Sequence, residues 1–169
     1  MPITSNAAFA AVAAGVLVAS IVDIRSRRIP NWLTATMAGI GIGLAASGAS
    51  GVSLGASVAG FVLGLALMMP GHALGATGAG DVKLMAAVGA IVGPALVVSA
   101  FLFTAIAGGV LAIAIAVRRR RLSATIAGTG RLIAAPGASR EEIKVANAGR
   151  RFAYGPAIAV GSVIAALIG

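Results

Sequence analysis

The 169-residue chain is 59% hydrophobic and only 10% charged, with a mean hydropathy of +1.04. Soluble domains carry about 25% charged residues, so this composition argues against a water-soluble globule and equally against a disordered or collagenous chain. The absence of cysteine excludes disulfide frameworks, cysteine-ligated zinc and iron–sulfur clusters, and leaves the net charge of +9, from 13 Lys+Arg against four acids, as the feature to place.

A membrane-crossing helix needs about 20 mostly apolar residues, with about 17–25 tolerated. The first apolar run covers about residues 6–22 and stops at Asp23. The basic stretch 23–31 follows, with Arg25, Arg27, Arg28, Pro30 and Asn31; Pro30 suits the first turn of the next helix, where its missing N–H costs little, and Asn31 suits a local hydrogen bond. A second run covers about residues 32–46, and the small-residue stretch 47–53 is a turn. A third run covers about residues 54–70, and the Gly-rich connection 71–83 holds His72, Gly78, Gly80, Asp81 and Lys83. Apolar sequence then continues over 84–117, enough for two crossings with a break at Gly93-Pro94. A polar stretch, 118–152, opens with four arginines at 118–121, and a last run covers 152–169. Gly60/Gly64 and Gly89/Gly93 have the small-xxx-small spacing of closely packed membrane helices.

These six segments sort the charges. All 13 cations fall in the connections after segments 1, 3 and 5, and none falls on the other side. Lys and Arg mark cytoplasmic loops. The expectation is an all-α integral membrane protein of about six transmembrane helices. It forms a single domain over residues 1–169, with both termini outside and cytoplasmic loops at about 23–31, 71–83 and 118–152. The excess of Arg over Lys and the many alanines suggest a GC-rich bacterial genome. Nothing basic precedes the first run, so a cleaved signal peptide is not expected. Ser139 to Glu142 has the form of a capping box, and a basic helix over about 140–150 would lie on anionic lipid headgroups or stand solvated in the loop. The arginines at 118–121 fit a topology anchor better than a nucleic-acid patch, so no nucleic-acid partner is expected.

The acids are sparser still. Asp23, Asp81, Glu141 and Glu142 are all there are, so the chain has two aspartates. Asp23 closes segment 1 and Asp81 opens segment 4, both on the cytoplasmic side. An ionisable group at a membrane segment is costly unless paired or hydrated, which makes it a functional candidate. If the two segments are neighbours, the carboxylates meet and titrate as a unit, one keeping its proton. Such a pair can activate water with its charged member and polarise a carbonyl with the other. The alternative is a pair of interface charges, Asp23 on Arg25 or Arg27 and Asp81 on Lys83. Glycines at 78 and 80 allow close backbone approach beside Asp81, where an extended substrate strand could lie.

Gly78-Ala79-Gly80-Asp81 at the start of a membrane helix, with an upstream Asp at a helix end followed by Arg27-Arg28-Ile29-Pro30-Asn31, resembles the type IV prepilin peptidase family. That family belongs to the GxGD aspartic membrane proteases, with the preflagellin peptidases and, more distantly, presenilin. The resemblance spans roughly residues 15–165 and includes Tyr154-Gly155-Pro156-Ala157-Ile158-Ala159, which is similar to the family's last-helix motif. It implies Asp23 and Asp81 as the catalytic pair, Gly78 and Gly80 as shaping the motif, and Lys83, Pro30 and Asn31 as accessory. It implies a prepilin or pseudopilin substrate cut at the cytoplasmic membrane face, and no cofactor. The larger bifunctional members carry a cytoplasmic N-terminal domain with paired cysteines and N-methylate the mature pilin. This sequence has neither, so it resembles the short, peptidase-only members that serve tight-adherence (Flp-type) pili, and methyltransferase activity is not expected.

Other chemistries fit less well. Gly48-Ala49-Ser50-Gly51 matches the GxSG string of rhomboid proteases, but the expected topology puts Ser50 and the single histidine, His72, about 30 Å apart on opposite sides. The stretch 75–83 lacks the Gly-Lys-Ser/Thr end of a P-loop. One histidine and scattered acids make a weak metal site. A non-catalytic transporter or secretion-assembly subunit is the alternative of another class; transporters show internal repeats and midplane broken helices, and no convincing repeat is present.

Overall fold

The computed structural model describes residues 5–118 and 154–168. Among these residues the chain is all-helical: α1 (Asn6–Ser26), α2 (Asn31–Ala46), α3 (Leu54–Ala73), α4 (Ala79–Arg118) and α5 (Gly155–Ile168). The stretch 119–153, including the expected basic helix at 140–150 and its capping box, lies outside the described residues.

Helix starts are set by local chemistry. Ser5 and Ser53 cap α1 and α3, their hydroxyls accepting from Ala8 N and Ala56 N at 3.2 Å each. Helix α1 runs past Asp23 to Ser26 and ends on Arg27 in the left-handed region (φ 51°), whose N–H returns to the Asp23 carbonyl. Asp23 therefore sits inside the last turn rather than beyond it. Pro30 is extended (φ −70°, ψ 143°) and precedes α2 instead of lying in its first turn, because its carbonyl receives the Leu33 N–H at 3.2 Å and so opens the helix. The connection expected at 71–83 shrinks to 74–78: α3 continues through Pro70 and His72, and Ala79 already begins α4.

Helix α4 breaks at Gly93, where φ 80° and ψ 178° interrupt the helical angles immediately before Pro94. A positive φ is cheap only for glycine, and proline brings no N–H to continue the ladder. The two arms fold back on each other: a Cβ at Gly89 would lie 3.1 Å from Val97 Cγ2, a contact impossible along a straight helix. The first arm runs antiparallel to α3, Gly64 against Met85 and Ala86, Gly60 against Gly89, and the turn itself against Val52. Ser57 adds an interhelical bond to the Ala90 carbonyl at 2.6 Å. The second arm runs antiparallel to α5, with Gly161 against Ala100 and Thr104, and Gly108 against Tyr154.

The first arm is the centre of the bundle. Leu84, Met85, Ala86, Ala87, Val88 and Ile91 are fully buried, as an all-round apolar helix should be. The outer helices leave large apolar side chains exposed, such as Leu17, Ile24, Val62, Leu102 and Ile106. In water that surface would be costly; facing acyl chains it is not. Among the described residues three helical stretches are long and apolar enough to cross a membrane, Asn6–Ser26, Leu54–Ala73 and Ala79–Ala114, and the chain is a membrane protein.

Candidate active site

Four elements converge at one end of the bundle: the last turn of α1, the 27–30 link, the start of α4 and the start of α5. Asp23 and Asp81 lie there, 5% and 6% exposed. Asp23 and Asp81 stand within electrostatic range of each other, and Tyr154 within range of Asp81.

Each carboxylate is held the same way. Asp81 is the third residue of α4, and its Oδ2 accepts the Gly78 N–H at 2.8 Å. This is half of a capping box: an acidic side chain reaching back to an orphan N–H ahead of the helix. Asp23 Oδ2 accepts the Gly155 N–H at 2.9 Å, at the start of α5. Both carboxylates thus sit at helix N-termini, where the macrodipole favours negative charge. Among the described residues neither Asp forms an ion pair with Arg25, Arg27 or Lys83. Lys83 Nζ donates instead to Asn31 Oδ1 at 2.9 Å, on the exposed rim, so Asn31 bonds across the link rather than locally.

The glycines act by absence of a side chain. A Cβ at Gly80 would lie 3.0 Å from Ile29 Cβ and 3.3 Å from its carbonyl oxygen. Gly80 therefore lets the start of α4 rest on the link leaving α1. A Cβ at Gly78 would lie 3.2 Å from Asp81 Oδ2, and one at Gly155 2.9 Å from Asp23 Oδ2. All seven residues marked in the sequence (Asp23, Asp81, Gly78, Gly80, Lys83, Pro30 and Asn31) occur at this end. Gly155 joins them; the Tyr154-Gly155-Pro156 string was its only signal.

His72 also lies here, in the last turn of α3, with Nδ1 3.1 Å from the Thr77 carbonyl. Ser50 lies at the opposite end of α3, buried, its hydroxyl bonded within its own turn to Val52. The 20 residues of α3 separate the two by about 30 Å, so they form no dyad. Among the described residues no group of three His, Cys, Asp or Glu is placed to hold a metal ion.

A sequence model of the type IV leader peptidase family matches residues 10–113. The chain belongs to that family. No curated protein and no solved structure matches it. Family membership makes the chain a protease with a leader-peptidase role toward a prepilin-like substrate. The matched stretch contains Asp23, Asp81 and every marked residue between them, and stops short of α5, which supplies the Gly155 N–H.

Proposed function

We propose that the chain is an aspartic endopeptidase of the bacterial inner membrane, which removes the leader of type IV prepilin-like proteins at the cytoplasmic face with Asp23 and Asp81 as its catalytic pair. The observation that carries this is the burial of the chain's only two aspartates at one end of the bundle, each holding a single glycine N–H through Oδ2. The charged member draws a proton from water, and the protonated member donates to the scissile carbonyl. By family resemblance the cut falls just after a glycine. The substrate's apolar segment enters laterally between helices and brings its extended leader junction to the level of the pair.

Six crossings follow if α2, α5 and both arms of α4 each span, with the termini outside and the charged loops inside. The cationic rim of Arg25, Arg27, Arg28 and Lys83 then faces the cytoplasm beside anionic headgroups.

The test is co-expression with a prepilin and a gel-shift readout. Asp23→Asn and Asp81→Asn each keep an oxygen for the glycine N–H, so both should fold and insert. Each should lose cleavage by about 10²-fold or more. Normal cleavage by either variant sinks the pair. Ser50→Ala should cleave normally.

A further inference from the structure

The turn joining α3 to α4 contains a chain of bonds that ends on Asp81. After α3 the backbone folds back over the helix end. Gly75 is left-handed (φ 76°) and its N–H reaches the His72 carbonyl at 2.9 Å. The N–H groups of Ala76 and Thr77 both point to the Gly71 carbonyl, at 2.9 and 3.3 Å. Gly71 leaves room for this: a Cβ there would lie 3.3 Å from Thr77 Oγ1. His72 closes the turn from its side chain, Nδ1 meeting the Thr77 carbonyl at 3.1 Å. A carbonyl oxygen only accepts, so Nδ1 carries the hydrogen, whatever the state of Nε2.

The Thr77 carbonyl and the Gly78 N–H belong to one planar peptide group. That N–H is the one donated to Asp81 Oδ2 at 2.8 Å. A single amide therefore receives a bond from His72 and gives one to Asp81. Bonds in series polarise one another, by about 10–30% each. The His72 bond also fixes the rotation of the amide plane, which the glycine on its far side would otherwise leave loose. The Thr77 hydroxyl does not do this, being buried and without a hydrogen-bond partner among the described residues. His72 also lies within electrostatic range of Asp81.

We propose that His72 is a positioning residue for Asp81, acting through the Thr77–Gly78 peptide group. This rests on Asp81 being catalytic. The N–H donor, not the imidazole's charge, is the working part. Asparagine supplies that test, because its Nδ2 sits the same number of bonds from Cβ as the histidine Nδ1.

The experiment is steady-state cleavage of a purified prepilin by the full chain in micelles, comparing wild type, His72→Ala, His72→Asn and Asp81→Asn, with thermal unfolding recorded for each. His72→Ala removes the donor at an exposed helical position without a poor helix former. Its kcat should fall about 5- to 20-fold, with KM within about twofold, as expected for a misaligned catalytic group. His72→Asn should recover at least about half of the lost kcat. The inference is overturned by an unchanged kcat in His72→Ala, by an effect confined to KM, or by His72→Asn being as slow as His72→Ala. An inactive Asp81→Asn beside a fully active His72→Ala sinks this inference alone, whereas an active Asp81→Asn sinks the catalytic assignment and this inference with it.

Discussion

Asp23 and Gly155 are 132 residues apart in sequence, yet the Gly155 N–H donates to Asp23 Oδ2 at 2.9 Å. The first helix is thereby tied to the last described one through the carboxylate proposed to do the chemistry. A methyl group at position 155 would be built 2.9 Å from that oxygen and 3.0 Å from Asp23 Cβ. Asp23 Cβ cannot rotate away, and Oδ2 can do so only by leaving the Gly155 N–H, so Asp23 or α5 must move. Gly155→Ala should therefore lower the cleavage rate about tenfold or more while the protein still inserts. Gel-shift rates on equal amounts of membrane-inserted protein check this, and a wild-type rate would show that the contact is dispensable.

Gly80→Ala tests the seat of α4 on Ile29. The added methyl meets Ile29 Cβ at 3.0 Å, and the link must yield. Activity should drop several-fold, with a loss of stability of about 1–2 kcal/mol, in the range of overpacked sites. Gly39→Ala is the comparison, since a Cβ there meets nothing within 4 Å. In the same thermal unfolding assay that variant should be neutral, or more stable by about 0.5 kcal/mol from helix propensity.

Arg27 is the only described residue other than glycine with a positive φ, 51°. The left-handed conformation costs an L-residue about 1–2 kcal/mol, partly offset by the greater unfolded-state freedom of glycine. Arg27→Gly should stabilise by about 0.5 kcal/mol, a rise of about 1–2 °C in the unfolding midpoint. A fall in the midpoint would mean that the arginine side chain contributes more than its backbone costs.

The proposed sidedness can be mapped directly because the chain has no cysteine. Ala49 and Ala76 are exposed at opposite ends of α3. Ala49→Cys should react with an impermeant maleimide added outside spheroplasts, and Ala76→Cys only after the membrane is opened. The reverse pattern would place the aspartates on the outer face.

The helices were legible because apolar runs, the small-residue turn at 47–53 and Gly93-Pro94 are local signals. Asp23 and Asp81 were legible for a different reason: with so few acids, topology alone brings them to one side. What could not be read was which backbone groups hold them. The Gly155 bond spans 132 residues, and the Lys83–Asn31 bond spans 52. Periodicity reports which face of a helix is apolar, not which neighbour stands against it. Asp81 opens segment 4 as expected, but the connection at 71–83 was drawn too long at its α4 end for a local reason. Gly78-Ala79-Gly80 has poor helix propensity, and the helix is started there by the carboxylate itself reaching back to Gly78.

The tie between Asp23 and α5 also bears on biosynthesis. Ribosomes make α1 first, and residue 155 follows more than a hundred residues later. Until then Asp23 lacks the N–H that orients it. A half-made chain already threaded into the membrane would carry both aspartates but not a finished site. On the proposed function, a protease assembled in this order gains its activity only once α5, the last described helix, is in place.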